Sequence, residues 1–174
     1  ADGLEALQAV AHAHRKRWGG RVMGLTGSNG KTTTKELLAA ALGRQYKVLA
    51  TPGNLNNHIG LPLTLLQLTA EHELALLEMG ENGPNELTRL CEMAEPEAAL
   101  ITNVGEDHLE GYGSHKANAA AKLELFDWVK AHGGHIFMNK ADFALRNYEV
   151  PAPQLTCYNT RDSRLWAHAV AENL

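Results

Sequence analysis

Residues 22–25, Val-Met-Gly-Leu, are apolar enough for a buried strand, and Lys35–Leu42 is strongly helical in composition. Between them lies Gly27-Ser28-Asn29-Gly30-Lys31-Thr32, followed by Thr33. Glycines in such a turn let the backbone bend tightly and aim its N–H groups at an anion, and a helix that starts there adds the positive end of its dipole. Lys31 brings a point charge suited to the β- and γ-phosphates of a nucleotide, and the Thr32 hydroxyl is a ligand type for Mg²⁺. The segment departs from the strict G-x-x-x-x-G-K-[ST] pattern, because Leu25 occupies the first glycine position and the additional glycine is Gly24. A chance glycine turn before a helix is the competing reading. The order strand, loop, helix is what the phosphate-binding reading requires.

The remainder of the chain has the same rhythm. Apolar runs at Val22–Leu25, Tyr46–Ala50, Leu74–Leu77, Ala98–Ile101, His135–Met138 and, more weakly, Gln154–Tyr158 alternate with helical patterns. The spacing predicts helices over 3–17, ending near Gly19-Gly20, and over 32–42, 59–68, 84–94, 115–132 and 141–148. Strands alternating with helices imply βαβ units, a mainly parallel sheet and helices on both faces, an α/β fold of the P-loop NTPase-like kind. Residues 164–170 read as one more strand with no helix after it, which leads to the expectation of an excised domain.

Composition narrows the function. A formal net charge of -4 gives no electrostatic reason to expect nucleic acid. The two cysteines, Cys91 and Cys157, lack CxxC spacing, so neither a disulfide framework nor a zinc ribbon is indicated. No signal-peptide pattern opens the sequence, and no apolar run approaches the roughly 20 residues that span a bilayer, so a cytoplasmic protein is expected.

In an open parallel sheet, ligands bind beyond the carboxyl ends of the strands. Glu78, Asn103, the segment Glu106-Asp107-His108, and Asn139 all follow apolar runs and should share an edge with the glycine loop. A carboxylate at such a position is costly unless a cation neutralises it, and Mg²⁺ beside ATP would do so. Taken alone, Glu78 reads equally well as a salt-bridged or capping residue, and His108 as one surface histidine among nine. Asn54, Asn56 and Asn57 sit in a loop between strand and helix, where asparagines bind polar substrates but also build Asx-turns and caps. Lys122 lies in a helix with Ala119, Leu123 and Phe126, where a lysine ordinarily snorkels to the surface.

Taken in order, Thr26–Thr34, Leu77-Glu78-Met79-Gly80, Asn103–His108 and Ala120-Ala121-Lys122-Leu123 resemble the Mur ligase family of ATP-dependent amide-forming enzymes, in its central domain. The resemblance covers roughly residues 20–150. It implies a domain over 20–174, truncated at its C-terminal end. Residues 1–19 are then a linker helix from an absent N-terminal domain, and the fragment alone is expected to lack full ligase activity. Gly53–Leu66 and His108–Ser114 are similar to the member that joins D-alanyl-D-alanine to UDP-N-acetylmuramoyl tripeptide through an acyl phosphate, working as a monomer.

By that resemblance, Gly27, Ser28, Asn29, Gly30, Lys31, Thr32 and Thr33 hold the phosphates of ATP, and Asn139 and Asp142 lie near the adenosine. Thr32 and Glu78 become ligands of one Mg²⁺ and His108 a ligand of a second. Lys122 aligns with the lysine that many members carbamylate to help hold metal. Lys31, His108 and Lys122 become the catalytic set, and Asn54, Asn56 and Asn57 the substrate loop. Glu81-Asn82-Gly83-Pro84-Asn85-Glu86 departs from the family's small-residue and histidine pattern, as Asp107 departs from its usual small residue; both add acid near the site. Two other functions fit parts of the sequence: a Mur-type ligase for another peptide step or for folate, and a P-loop regulatory module that uses nucleotide to switch conformation.

Overall fold

The computed structural model describes residues 2–105 and 115–159, residue 115 in backbone only. Helix α1 (Gly3–Trp18) leads to strand β1 (Arg21–Thr26), helix α2 (Lys31–Leu42), β2 (Val48–Ala50), α3 (Gly60–Leu65), β3 (Leu74–Glu78) and α4 (Glu86–Ala94). Then come β4 (Ala98–Ile101), α5 (His115–Ala131), β5 (His135–Asn139), a 3₁₀ turn over Ala152–Gln154 and β6 (Leu155–Tyr158). The six strands form one sheet in the order β2-β3-β1-β4-β5-β6, with every pairing parallel. The expected fold class is therefore what the chain adopts.

Period-two alternation explains why the strands read as unbroken apolar runs. Val22, Ala75, Leu77, Ala99, Ile101, Ile136 and Met138 point to one face, where they pack with Ala11, Leu61, Leu65, Leu87, Leu90, Leu125 and Phe126 from α1, α3, α4 and α5. Met23, Leu25, Leu74, Leu76, Ala98, Leu100 and Phe137 point to the other, against Leu38 and Leu42 of α2. Both faces are covered by helices, so no polar alternation appears in the sequence.

Helix α1 is stopped where glycine permits it. Gly19 has φ 69°, and its N–H bonds to the Arg15 carbonyl. Arg15, 5% exposed, donates to the carbonyls of Ala94 and Glu95 and so ties α1 to the turn before β4. Burial lowers the pKa of its guanidinium, against the opposing pull of Glu97 and Glu95.

One expected helix does not form. Residues 141–147 are turn and bend, and 148 has no regular structure. Asp142 Oδ1 takes the amides of Ala144 and Leu145, and Arg146 N–H bonds to the Asp142 carbonyl, which starts a single helical turn. Lys140 Nζ then caps the Arg146 carbonyl at 2.9 Å, and Pro151 follows closely. A turn closed at both ends by side chains has no room to propagate. The expected strand at 164–170 lies outside the described residues. No helix among the described residues is long and apolar enough to cross a membrane.

Candidate active site

The reversal of strand order around β1 brings the carboxyl ends of β1, β3 and β4 together. In register, Leu25 faces Glu78 across β1 and β3, and Thr26 faces Ile101 across β1 and β4. The glycine loop, Glu78 and Thr102-Asn103 therefore leave the sheet side by side, on the edge expected from the sequence.

The loop is braced from β4. Ser28 N–H bonds to the Asn103 carbonyl at 3.0 Å, and Asn29 N–H bonds to Asn103 Oδ1 at 3.1 Å. The Thr102 hydroxyl and Asn103 Nδ2 both donate to the Asn29 carbonyl, at 2.7 and 2.9 Å. Gly27 needs to be glycine: its φ is 141°, and a Cβ there would lie 2.0 Å from Thr102 Oγ1. Gly30, also left-handed at φ 76°, opens α2, and no side chain caps the helix. The helix thus presents its first-turn amides without a carboxylate or hydroxyl to satisfy them, the arrangement that receives anions. Lys31 bends back over the loop and donates to the Gly27 and Ser28 carbonyls. Thr32 and Thr33 are exposed at the same helix start.

Glu78 is 1% exposed. Its Oε1 accepts from Asn56 Nδ2 at 2.8 Å, while Oε2, buried, accepts no hydrogen bond. Lys35 Nζ stands 4.0 Å from that oxygen. A buried carboxylate oxygen left in this state costs stability unless a cation approaches it, and it fits a Mg²⁺ ligand of the kind the sequence suggested.

Lys122 is not a surface lysine. It is fully buried, and it donates to Glu81 Oε1 at 2.7 Å and to Asn118 Oδ1. The buried stripe of α5 runs through Asn118, Ala121, Lys122, Leu125, Phe126 and Val129, which places Lys122 in its middle. Glu81 Oε2 accepts from the Thr26 hydroxyl at 3.1 Å. Asn118 Nδ2 donates to the Gly105 carbonyl, and the Gly105 amide to Ser28 Oγ at 2.7 Å. One polar chain therefore joins Lys122 to the end of β1 and to the glycine loop. His108, with Glu106 and Asp107, lies outside the described residues.

Asn139 Nδ2 donates to the Thr102 carbonyl, and Asp142 Oδ2 accepts from the Val104 amide at 2.9 Å, so both abut the segment that braces the loop. Burial, and then the charge of Asp142, hold the Tyr158 phenol well above its ordinary pKa. In the 51–57 loop the three asparagines separate. Asn56 reaches Glu78, Asn57 Oδ1 caps α3 through the amides of Ile59 and Gly60, and Asn54 is exposed.

Sequence reasoning missed Lys35. It is 0% exposed, and its Nζ donates to the Thr51 carbonyl at 2.6 Å and the Gly53 carbonyl at 3.4 Å. The signal was present: Lys35, Leu38 and Leu42 share one helical face, and all three are buried.

Residues 25–173 match the Mur ligase middle domain. The chain belongs to the Mur ligase family. It is 50% identical over 137 residues to the UDP-N-acetylmuramoyl-tripeptide–D-alanyl-D-alanine ligase of Bacillus subtilis, covering 79% of this chain and 30% of that protein. It is 45% identical over 132 residues to the Escherichia coli enzyme of the same name, covering 76% of this chain and 29% of the relative. Among solved structures, the MurF ligase of Thermotoga maritima in complex with ADP superposes with a TM-score of 0.81 at 34% identity. That match covers 91% of this chain and 36% of the other. The chain thus spans about 30% of the length of these curated relatives.

Proposed function

We propose that this Mur ligase middle domain binds ATP with Mg²⁺ and forms the phosphoryl-transfer centre of a ligase. That ligase joins D-alanyl-D-alanine to UDP-N-acetylmuramoyl tripeptide in peptidoglycan precursor assembly. The observation that carries the reading is the conjunction at one sheet edge of an uncapped α2 start, Lys31 over its loop, and a buried glutamate oxygen with no hydrogen bond. The likeness to named ligases of this specificity supports the choice of substrates.

In this reading Gly27, Ser28, Asn29, Gly30, Lys31, Thr32 and Thr33 cradle the phosphates, and Asn139 and Asp142 border the adenosine. Thr32 and Glu78 would hold a Mg²⁺ ion, which supplies charge neutralisation on the phosphates when bound. The tripeptide carboxylate attacks the γ-phosphorus and ADP leaves, giving an acyl phosphate. The amine of D-alanyl-D-alanine attacks the acyl carbon, an amide forms and inorganic phosphate departs. This chemistry asks for in-line positioning and charge neutralisation, and Lys31 with the first-turn amides of α2 is suited to both. Asn56, tied to Glu78, brings the substrate loop to the edge where the carboxylate must arrive.

The test uses the protein that carries this chain, ATP, Mg²⁺, UDP-N-acetylmuramoyl tripeptide and D-alanyl-D-alanine, with mass spectrometry of the product. The UDP-N-acetylmuramoyl pentapeptide is expected, and its formation is abolished in Lys31→Ala. Turnover only with a different amino compound would refute the assigned specificity while leaving the family assignment intact.

A second metal ion, held by His108 and a carbamylated Lys122, is the finer part of the proposal and rests on the family resemblance. Among the acceptors the ammonium of Lys122 points at are the oxygens of Glu81 and Asn118. A carbamate would set an anion against the same two oxygens, so it needs a cation between them. In metal-free protein equilibrated with ¹³C-bicarbonate, the pairing predicts no carbamate carbon resonance by NMR. A resonance there that Lys122→Arg removes would contradict this pairing.

A further inference from the structure

We infer that Lys35 is a positioning residue that serves two neighbours at once: it is the standing counter-charge of Glu78 and the anchor of the 51–57 loop. The inference rests on the metal reading of Glu78 given above and extends it to a residue which that reading does not use. Lys35 projects from the second turn of α2, one turn beyond Lys31, and is wholly enclosed. An enclosed ammonium must be compensated. Two of the groups around it are loop carbonyls, Thr51 at 2.6 Å and Gly53 at 3.4 Å. Two are carboxylates: Glu36 Oε1 at 3.0 Å, whose own side chain is 66% exposed, and Glu78 Oε2 at 4.0 Å, inside the protein.

The same loop is fixed to β3 from its other side. Thr51 Oγ1 accepts from the Glu78 amide, Asn56 Nδ2 donates to Glu78 Oε1, and the Gly80 amide donates to the Asn56 carbonyl at 2.7 Å. Glu78 is therefore enclosed between Lys35 and Asn56, and both of these hold the loop. Two consequences follow with opposite signs. A positive charge 4.0 Å from Oε2 repels a metal ion that uses this oxygen, so Lys35 holds metal affinity down. The hydrogen bonds from Lys35 hold the loop closed, so its loss frees the loop. A residue that only filled space would, when removed, loosen both functions together.

The experiment compares wild-type protein with Lys35→Met and Lys35→Arg, using Mn²⁺ in the presence of saturating ADP as the metal probe. Free Mn²⁺ is followed by electron paramagnetic resonance, and amide exchange at Leu55, Asn56 and Gly80 by NMR. Lys35→Met is expected to bind Mn²⁺ about tenfold more tightly, a coupling of ordinary size for adjacent sites, while those amides exchange about tenfold faster. Lys35→Arg, which keeps charge and donors, should restore both values to within about twofold. Unchanged or weaker Mn²⁺ binding in folded Lys35→Met overturns the inference.

If Lys35→Met does not fold, wild-type protein still decides. Exchange at Leu55, Asn56 and Gly80 must change on adding Mn²⁺ to the ADP complex, because Lys35 and Asn56 touch both sites. Mn²⁺ binding with no change at these amides overturns the inference. Failure of wild-type protein to bind Mn²⁺ with ADP would instead refute the metal reading of Glu78, and with it the counter-charge role of Lys35.

Discussion

Lys31→Ala lowers nucleotide affinity at least about a hundredfold, close to 3 kcal/mol, while the protein stays folded. The lysine ammonium is part-buried and its partners are two carbonyls of its own loop, Gly27 and Ser28. Those bonds come from a charged donor to neutral carbonyls and are worth at most about 1.5–3 kcal/mol each to stability. Against phosphate the same ammonium meets an anion rather than a neutral carbonyl, and no other described cation lies on this loop. Calorimetric titration of ATP and a melting curve on the same sample separate the two effects. The melting temperature should fall by no more than about 8 °C, as expected for a domain of this size. Undiminished affinity with a normal melting curve would show that the loop is not the phosphate site.

Glu81→Ala has the largest expected effect on stability, a loss of about 3–5 kcal/mol. Lys122 is 0% exposed and Glu81 is 6% exposed, so truncation removes the carboxylate from an ammonium that water cannot reach. The Thr26 hydroxyl, also buried, loses its acceptor in the same change. Because the cost comes from the charge left behind, a double replacement, Glu81→Leu with Lys122→Met, should recover most of it. Urea denaturation of wild type, the single variant and the double variant measures both numbers. A loss below about 1 kcal/mol in Glu81→Ala would mean that the pair is solvated or mobile rather than part of the interior.

The strands and the glycine loop were legible because their signals are local. A run such as Leu74–Leu77 is apolar on both faces since both faces of the sheet are covered, and Gly27 is required by its own backbone and by Thr102. Glu78 was legible for the same reason, as a carboxylate closing an apolar strand. Composition and spacing alone make Lys122 a snorkelling lysine beside Ala119, Leu123 and Phe126; only the family resemblance sets it at the site. The true stripe includes Asn118 and Lys122, whose burial depends on Glu81, distant in sequence. The acid at Glu81 was visible as a departure from the family pattern, but its partner was not. Lys35 was hidden likewise: a lysine on a helix face is polar by composition, and what makes an interior position tolerable is the carbonyls of Thr51 and Gly53 together with the carboxylates of Glu36 and Glu78. The helix expected over 141–148 failed because Asp142 and Lys140 close a single turn, a competition between side chain and backbone that periodicity does not register.

The central claim is that this domain grips a nucleotide by its phosphates with the help of Mg²⁺. Calorimetric titration of ATP, ADP and AMP into the wild-type chain, each with and without Mg²⁺, tests it most directly. The account predicts that ATP and ADP bind, that Mg²⁺ strengthens ATP binding by at least about tenfold, and that AMP, which has no β-phosphate for Lys31, gives no measurable heat. Equal binding of all three nucleotides, indifferent to Mg²⁺, would contradict it.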